Sequence, residues 1–310
     1  MRKDHEKVRR VLVLGGNTAQ VPYIEELRNR GFWVALTDLN EKAPGRRCAD
    51  AFRQLGYEDI PGLIEFAHEI GFSSEDSIFT AAAQFAQIGA ASVAERFAIP
   101  YPSVSVIKTC LDKTLFYPEF QRHSVPIPET KIIKTVRELE EYAKVMDPLA
   151  EYYLKSDFSK NPKYIYRFKG EQCSPSSYFW GADRYLRNAY VLQKEFIGRH
   201  LRLNLMPGRA VFYDFSTNEP LSNLESDRIL RDHDVVDKLG SFLKGNRLQS
   251  WLIKFDIIII DVIRWTFHRE IDPRFHGVCS FCKKGHNFAS HYLDQYINGE
   301  ITYPGVGSCI

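Results

Sequence analysis

The 310-residue sequence has no long apolar run and no marked excess of charge of either sign. No stretch approaches the roughly 18 apolar residues of a membrane-spanning helix, so a membrane protein is not expected. Lysine and arginine total 41 and aspartate and glutamate total 39, which gives no reason to expect nucleic acid or an anionic membrane as a partner. The apolar stretch Val11–Leu14 after the charged first residues is too short for a secretory signal.

Cysteines are few and scattered, at positions 48, 110, 173, 279, 282 and 309. This spacing is unlike a disulfide framework, so we expect a reducing, cytoplasmic setting. One stretch does place a C-x-x-C pair near histidines, which is a pattern that zinc sites use. A second cysteine pair is missing, so a turn with two small buried thiols is the preferred interpretation and zinc the alternative. The residues concerned are His276, Cys279, Cys282, His286 and His291.

The glycine spacing of a dinucleotide site is also missing. Val11–Leu14 predicts a strand, Gly15–Asn17 a turn, Thr18–Arg30 a helix and Phe32–Leu39 a second strand that contains Asp38. This order opens a parallel α/β sheet, and two more strand–helix units follow up to residue 97. The turn reads GGNTAQ rather than G-x-G-x-x-G. We therefore expect it to contact the edge of a substrate, or to bind nothing, rather than to hold a dinucleotide.

The second half of the chain is built differently, with short alternating strands. Strands are predicted at 131–134, 152–155, 164–168, 191–196, 201–206 and 211–215, and helices at 136–146, 180–187, 235–244 and 286–298.

The most informative stretch is 253–274, IKFDIIIIDVIRWTFHREIDPR. Its β-branched run predicts a buried strand, and Phe267–Ile271 predicts a second one. If the two strands pair as a hairpin, Asp256, Glu270 and Asp272 share one face of the sheet. Three neighbouring carboxylates need cations, and hard oxygen ligands suit Mg²⁺ bound together with phosphates. The structural alternative is a buried strand pair whose acidic residues cap turns.

Taken in order, these pieces resemble the ATP-grasp superfamily, in particular its carbamoyl-phosphate-synthase-like carboxylate–amine ligases. Asp112-Lys113 followed by Val125–Pro128 is similar to the family's DK…G-V-P-x-P passage, and Leu154-Lys155 resembles its V-K-P strand. Residues 192–198, LQKEFIG, resemble the hinge that reads the adenine edge. Residues 270–274, EIDPR, with the earlier Asp256, resemble the family's D/E…E-x-N-P-R motif.

The resemblance implies an α/β fold in which an N-terminal Rossmann-like domain precedes a two-lobed ATP-grasp clamp. The expected bounds are 1–104 for the first domain, 105–190 for the small lobe and 191–310 for the large lobe with the metal site. The implied ATP-binding residues are Lys113, Lys155, Lys194, Glu195, Phe196, Ile197 and His200. The implied ligands of two Mg²⁺ ions, with Mn²⁺ as an alternative, are Asp256, Glu270 and Asp272. The implied catalytic residues are Arg274 and Lys155. Arg202 alternates outward on the strand 201–206 and is the third catalytic candidate if it faces the same cleft; a surface role is the alternative.

Three departures from the family pattern lead us to expect a weaker or altered grip on the nucleotide. Asp272 replaces the usual asparagine, and His200 stands where many members have a glutamate for the ribose hydroxyls. The phosphate loop 156–163, SDFSKNPK, lacks glycines that would let backbone N–H groups approach phosphates.

The function that the resemblance implies is ATP-dependent activation of a small carboxylate as an acyl phosphate, followed by transfer to an amine. Such chemistry depends on positioning and charge neutralisation, and no Ser-His-Asp or Cys-His nucleophile stands out in the sequence. Carboxyl transfer onto a nucleotide intermediate and a non-catalytic nucleotide-binding module are the alternatives. Retention of Glu270, Asp272 and Arg274 together favours the ligase. The expected partners are a carboxylate and an amine, with no nucleic acid, no membrane, and a homodimer left open.

Overall fold

The computed structural model describes residues 9–156, 165–175, 177, 189–206, 209–217, 219–248, 251, 253–261, 264–272 and 293. Within the strands, the side chains of residues 206, 209, 268–270 and 272 are outside this description. The strands are β1 (Arg10–Leu14), β2 (Trp33–Asp38), β3 (Ala51–Gln54), β4 (Ser77–Phe79), β5 (Thr130–Ile133), β6 (Glu151–Ser156), β7 (Ile165–Lys169), β8 (Tyr190–Lys194), β9 (Arg199–Met206), β10 (Arg209–Asp214), β11 (Ile253–Ile259) and β12 (Trp265–Asp272). The α-helices are α1 (Val21–Asn29), α2 (Ile60–Glu69), α3 (Ala86–Phe97), α4 (Val104–Leu111), α5 (Lys113–Arg122), α6 (Val136–Ala143), α7 (Asn223–Asp232) and α8 (Val235–Gly245).

The first sheet is parallel, with strand order β3-β2-β1-β4. Its central strands are apolar on both faces because helices cover both sides, which is typical of parallel sheets. Leu12 and Leu14 pack toward α2 and α3, whereas Val11 and Val13 pack toward α1. The prediction of an open parallel α/β sheet is confirmed, and the carboxyl ends of its strands lie at one edge.

The second sheet is antiparallel, with order β5-β8-β6-β7. Along β6 the side chains alternate between two faces. Tyr152 and Leu154 pack into a small core with Leu192 and the helix residue Leu139. The opposite face of this sheet therefore remains for polar side chains.

The third sheet is also antiparallel, with order β10-β9-β11-β12, and it contains the predicted hairpin of β11 and β12. Its apolar face forms the largest core, into which α5, α7 and α8 pack. Phe267 on β12 illustrates this packing, because its ring lies 4.6 Å from that of Phe120 and 5.4 Å from that of Phe116 on α5. The hairpin is thus held by α5 from one side, and its other face is available for a site.

The helix α7 was not predicted from the sequence. It buries only Ile229, so its apolar periodicity is weak. A local signal was present, because residues 222–225, SNLE, have the S-x-x-E spacing typical of a helix start. Ser222 caps the helix by accepting a hydrogen bond from the Glu225 backbone N–H, and its hydroxyl donates to the Glu225 carboxylate. The predicted helix at 180–187 and most of the phosphate loop lie outside the described residues, as does the predicted helix at 286–298 apart from Leu293.

The three predicted domain bounds stay a prediction. β8 straddles the expected start of the large lobe at residue 191, yet it hydrogen-bonds within the sheet of the small lobe. Among the helices that the structure describes, none is long and apolar enough to cross a membrane.

Candidate functional site

A cavity of about 230 Å³ lies where the second and third sheets face each other. Its walls come from β6 and β7, from β8 and the segment after it, and from the neighbouring strands β9 and β11. It is lined by Pro128, Tyr153, Lys155, Ile165, Gln193, Lys194, Glu195, Phe196, His200 and Ile258. Five of the predicted ATP-binding residues, Lys155, Lys194, Glu195, Phe196 and His200, are among them.

Lys155 reaches the cavity because β6 alternates, so that Tyr153 and Lys155 share the face opposite the small core. Lys155 is buried, with only 7% of its surface exposed. The Lys155 ammonium donates to the side-chain oxygen of Gln193 at 2.9 Å and lies 5.4 Å from the centre of the Tyr153 ring. An ammonium held in this way is a ready partner for an anionic group.

The segment after β8 forms one rim of the cavity. The Glu195 carboxylate accepts hydrogen bonds from the Tyr153 hydroxyl at 2.9 Å and from Arg167 at 3.1 Å. Burial raises the pKa of Tyr153, and the bond to Glu195 raises it further, so this phenol stays protonated and donates. Lys194 turns outward to Asp147, 3.0 Å away, and the resulting bond lowers the pKa of Asp147. The rim is therefore cross-linked by charged pairs.

Two of the predicted ATP-binding residues do not line the cavity in the part of the chain that the structure describes. Ile197 is 88% exposed beyond the rim. Lys113 is the first residue of α5, and the preceding Asp112 caps this helix because its carboxylate accepts from the Thr114 N–H. One turn later on the same helix, Tyr117 reaches Gln193, so α5 touches the site through that residue.

The polar face of the third sheet carries two further predicted residues, Arg202 and Asp256. Arg202 on β9 lies directly opposite Asp256 on β11, and Arg202 Nε donates to Asp256 Oδ1 at 3.3 Å. Side-chain exposure is 13% for Arg202 and 2% for Asp256, so this ion pair is largely buried. The Arg202 guanidinium also lies 5.1 Å from the Phe215 ring. The sequence left open whether Arg202 lies on the surface or in the cleft, and the structure pairs it with the predicted metal ligand.

The hairpin partly tests the predicted carboxylate cluster. Lys254 pairs with Asp272, and the ladder between β11 and β12 shifts register between Phe255 and Ile257, so that β12 residues 268–270 lie opposite Asp256. Irregularities of this kind often lie next to active sites because they redirect side chains. The backbone thus brings the positions of Asp256, Glu270 and Asp272 together. The side chains of Glu270 and Asp272, and the whole of Arg274, lie outside the described residues.

The chemistry of this face fits a divalent cation in part. Carboxylate and amide oxygens are hard ligands that suit Mg²⁺, and the Asn204 amide oxygen is buried without a hydrogen-bond partner on the same face as Asp256. In contrast, Arg202 already holds one oxygen of Asp256. Among the side chains that the structure describes, no three histidine, cysteine, aspartate or glutamate residues come together. The C-x-x-C and histidine stretch at 276–291 falls outside this description.

A second cavity, of about 440 Å³, lies at the carboxyl edge of the first sheet. Its lining includes Gly15 after β1, Asp38 at the end of β2 and the buried Thr37, whose hydroxyl has no hydrogen-bond partner. The Asp38 carboxylate accepts from the Gly16 N–H at 2.7 Å, which fixes the glycine turn. The glycines therefore have a structural use that needs no dinucleotide, and the turn borders a space that a small molecule can enter.

Several residues of the site were not among the implied ATP-binding residues, although Pro128 and Gln193 lie within the quoted motifs; they are Pro128, Tyr153, Ile165, Gln193 and Ile258. A signal existed for Tyr153, because strand alternation places it on the same face of β6 as Lys155. The place of Gln193 opposite Tyr153 depends on how β6 pairs with β8. Ile258 could not be found in this way, since its contact with the cavity depends on how the third sheet meets the second.

No protein-family model and no curated protein sequence matches the chain. Several solved structures are similar to the chain. An L-amino acid ligase from Bacillus licheniformis is 14% identical with a TM-score of 0.70, covering 95% of this chain and 77% of its own. The biotin carboxylase domain of the Hydrogenobacter thermophilus 2-oxoglutarate carboxylase, solved with MgADP and bicarbonate, is 17% identical with a TM-score of 0.73, covering 96% and 71%. An N5-carboxyaminoimidazole synthetase from Staphylococcus aureus complexed with ADP is 12% identical with a TM-score of 0.70, covering 96% and 78%. These similarities establish the fold: the chain has the ATP-grasp fold that its sequence implied.

Proposed function

We propose that this ATP-grasp chain is an ATP-dependent ligase that activates a small carboxylate as an acyl phosphate and joins it to an amine, releasing ADP and phosphate. The observation that supports this most directly is the cavity between the second and third sheets, where Lys155, Lys194, Glu195, Phe196 and His200 converge. The similar structures solved with ADP have the same fold. In this proposal Lys113 and Ile197 complete the nucleotide site.

The chemistry requires two balanced steps. A carboxylate oxygen of the substrate attacks the γ-phosphorus of ATP, ADP leaves, and an acyl phosphate forms. The amine nitrogen then attacks the acyl carbon, phosphate leaves, and the nitrogen loses a proton. Lys155 is placed to neutralise phosphate charge at the cavity, and we assign Arg274 and Arg202 to the transferring group and to the support of Asp256.

Magnesium would be held by Asp256, Glu270 and Asp272, and we propose two ions as in the sequence-based expectation, with Mn²⁺ as an alternative. When bound, such ions neutralise phosphate charge and fix the phosphates against Lys155. The carboxylate and amine are proposed to enter between the first sheet and the clamp. The second cavity, whose lining residues all come from the first domain, is the candidate for the first-domain side of this entrance. A reducing, cytoplasmic setting and a homodimer belong to the same proposal.

The test is a screen of amino acids and other small carboxylates for substrate-dependent release of ADP from ATP. With a carboxylate that gives turnover and with the amine withheld, hydroxylamine should trap the acyl phosphate as a hydroxamate. Arg274→Ala should lower both the trapping and the overall turnover. Production of AMP and pyrophosphate would contradict the acyl-phosphate route even though the fold is that of the ATP-grasp enzymes.

Carboxyl transfer onto a nucleotide intermediate is the second candidate. The similarity to an N5-carboxyaminoimidazole synthetase and to a biotin carboxylase domain favours it as much as the similarity to the amino acid ligase favours the first. Bicarbonate-dependent ADP release without any other carboxylate would select this alternative. A third alternative, a non-catalytic module, predicts ATP binding with no release of ADP under any substrate.

A further inference from the structure

We infer that Gln193 is a positioning residue for Lys155, and that it aims the Lys155 ammonium at the phosphates of ATP without neutralising its charge. This assignment rests on the proposed function, because it presumes that the cavity binds ATP. It concerns a residue that lies within the hinge motif 192–198 but is not among the ATP-binding residues that the resemblance implies.

Gln193 is the centre of a buried hydrogen-bond network. Its side-chain oxygen accepts from the Lys155 ammonium at 2.9 Å and from the Tyr117 hydroxyl at 3.1 Å. Its amide nitrogen donates to the Thr130 hydroxyl oxygen at 2.8 Å. Gln193 is 2% exposed, and its three partners come from three different elements, β6, α5 and β5. A carboxamide with every one of these bonds made has little freedom to rotate.

The orientation of the amide follows from its neighbours. The Thr130 hydroxyl donates to the Pro128 carbonyl at 2.7 Å, so its proton is used and its oxygen must accept from Gln193. The nitrogen of the amide therefore faces Thr130, and the oxygen faces Tyr117 and Lys155. Burial holds the pKa of Tyr117 well above its usual range, so the phenol keeps its proton and donates. The chain of hydrogen bonds runs in one direction, from Lys155 and Tyr117 through Gln193 and Thr130 to Pro128.

The neutral character of Gln193 has a direct electrostatic consequence. Its carbonyl dipole fixes the Lys155 ammonium at the cavity wall but carries no net charge. A glutamate of the same length would form an ion pair and offset much of the attraction that Lys155 exerts on an anionic phosphate. Glutamine at this position thus fixes the direction of Lys155 and itself adds no negative charge beside the ammonium.

The experiment measures the affinities of ADP and of adenosine by calorimetry for the wild type, Gln193→Glu and Gln193→Met. Gln121→Glu is the matched control, because Gln121 is an exposed residue of α5 and the substitution adds the same charge away from the cavity. We expect Gln193→Glu to weaken ADP binding roughly tenfold or more, with adenosine affinity within about twofold of the wild type, since only the phosphates sense Lys155. Gln193→Met should act in the same direction, because Lys155 loses its fixed position. The control should leave both affinities unchanged.

Two results would overturn the assignment. One is Gln193→Glu binding ADP as tightly as the wild type. The other is equal loss of ADP and adenosine binding in both Gln193 variants, together with a lower melting temperature, which would mean that Gln193 supports only the packing of the sheet. If the wild type bound neither ATP nor ADP, the proposed function would be wrong. The wild-type measurement alone therefore tests the proposed function, and the comparison with the variants tests the role of Gln193.

Discussion

At the scale of single residues, the pairing of Arg202 with Asp256 governs how the polar face of the third sheet behaves. The pair is largely buried, and a buried carboxylate that loses its partner is left uncompensated. The same guanidinium occupies an oxygen that a cation would use. Arg202 and a divalent cation are therefore expected to compete for, or to share, Asp256.

The first prediction follows from this competition. Arg202→Gln should lower the free energy of unfolding by about 3 kcal/mol, because the Asp256 charge stays buried without its partner. Millimolar Mg²⁺ should restore part of the lost melting temperature in the variant and less in the wild type. Arg199→Gln is the control: Arg199 pairs with Glu225 at an exposed site, and its loss should cost about 1 kcal/mol or less. Equal effects of the two substitutions would argue against a special role for Asp256.

The second residue-scale prediction concerns the turn after β1. Gly15 has a φ of +89°, and a Cβ there would lie 2.5 Å from the Cβ of Ala82. Gly31 has a similar φ of +83°, but a Cβ at that position would have no atom within 4 Å. Gly15→Ala should therefore destabilise the protein by about 2–4 kcal/mol in urea titrations, and Gly31→Ala by only about 1 kcal/mol from backbone strain. Similar losses at both positions would show that the contact with Ala82 is easily relieved.

At the scale of elements, the hairpin of β11 and β12 joins a packing role to a chemical one. Its apolar face meets the aromatic residues of α5, Asp256 lies on its polar face, and the pairing of the two strands brings the backbone of residues 270 and 272 near Asp256. Because the apolar contacts fix the hairpin, single changes at positions 270 and 272 should alter chemistry more than folding.

This division gives the third prediction. Glu270→Gln should reduce ATP-dependent turnover by about a hundredfold or more, since removing a group that stabilises phosphate charge typically costs several kcal/mol in the transition state. Asp272→Asn should be milder, because asparagine is the residue that the family motif has there. Turnover is measured as ADP release, with circular dichroism confirming that both variants fold. If Asp272→Asn were as damaging as Glu270→Gln, our alignment of residues 270–274 with the motif would be wrong.

At the scale of the whole molecule, the cavity lies between the second and third sheets, which are formed by two different segments of the chain. A ligand that bridges them stabilises only the folded protein, so its effect on melting follows mass action. This makes thermal unfolding a direct test of the nucleotide site.

The fourth prediction is that ATP with Mg²⁺ raises the melting temperature. At an ATP concentration one hundred times the dissociation constant, binding should add about 2.7 kcal/mol to the free energy of unfolding. Lys155→Met should remove most of this shift, because the methionine side chain is similarly unbranched but lacks the ammonium. The variant without ligand reports any structural effect of the substitution separately. An unchanged melting curve for the wild type at millimolar ATP would exclude the nucleotide site.

The local pattern of the chain by itself determined most of the strands and helices and the order in which they occur. Alternation along β6 places Lys155 on the cavity face, and the β-branched run of β11 predicts a buried strand, because side-chain period and burial are properties of neighbouring residues. The order of the short motifs was sufficient to identify the ATP-grasp fold.

Only the tertiary structure decided which side chains meet. Gln193 contacts Tyr117 across 76 positions of sequence, and Arg202 meets Asp256 across 54. Contacts of this kind depend on strand register and on how one sheet packs against another, which no single segment encodes. For the same reason the outward turn of Lys194 to Asp147 was not foreseen, although Lys194 itself was.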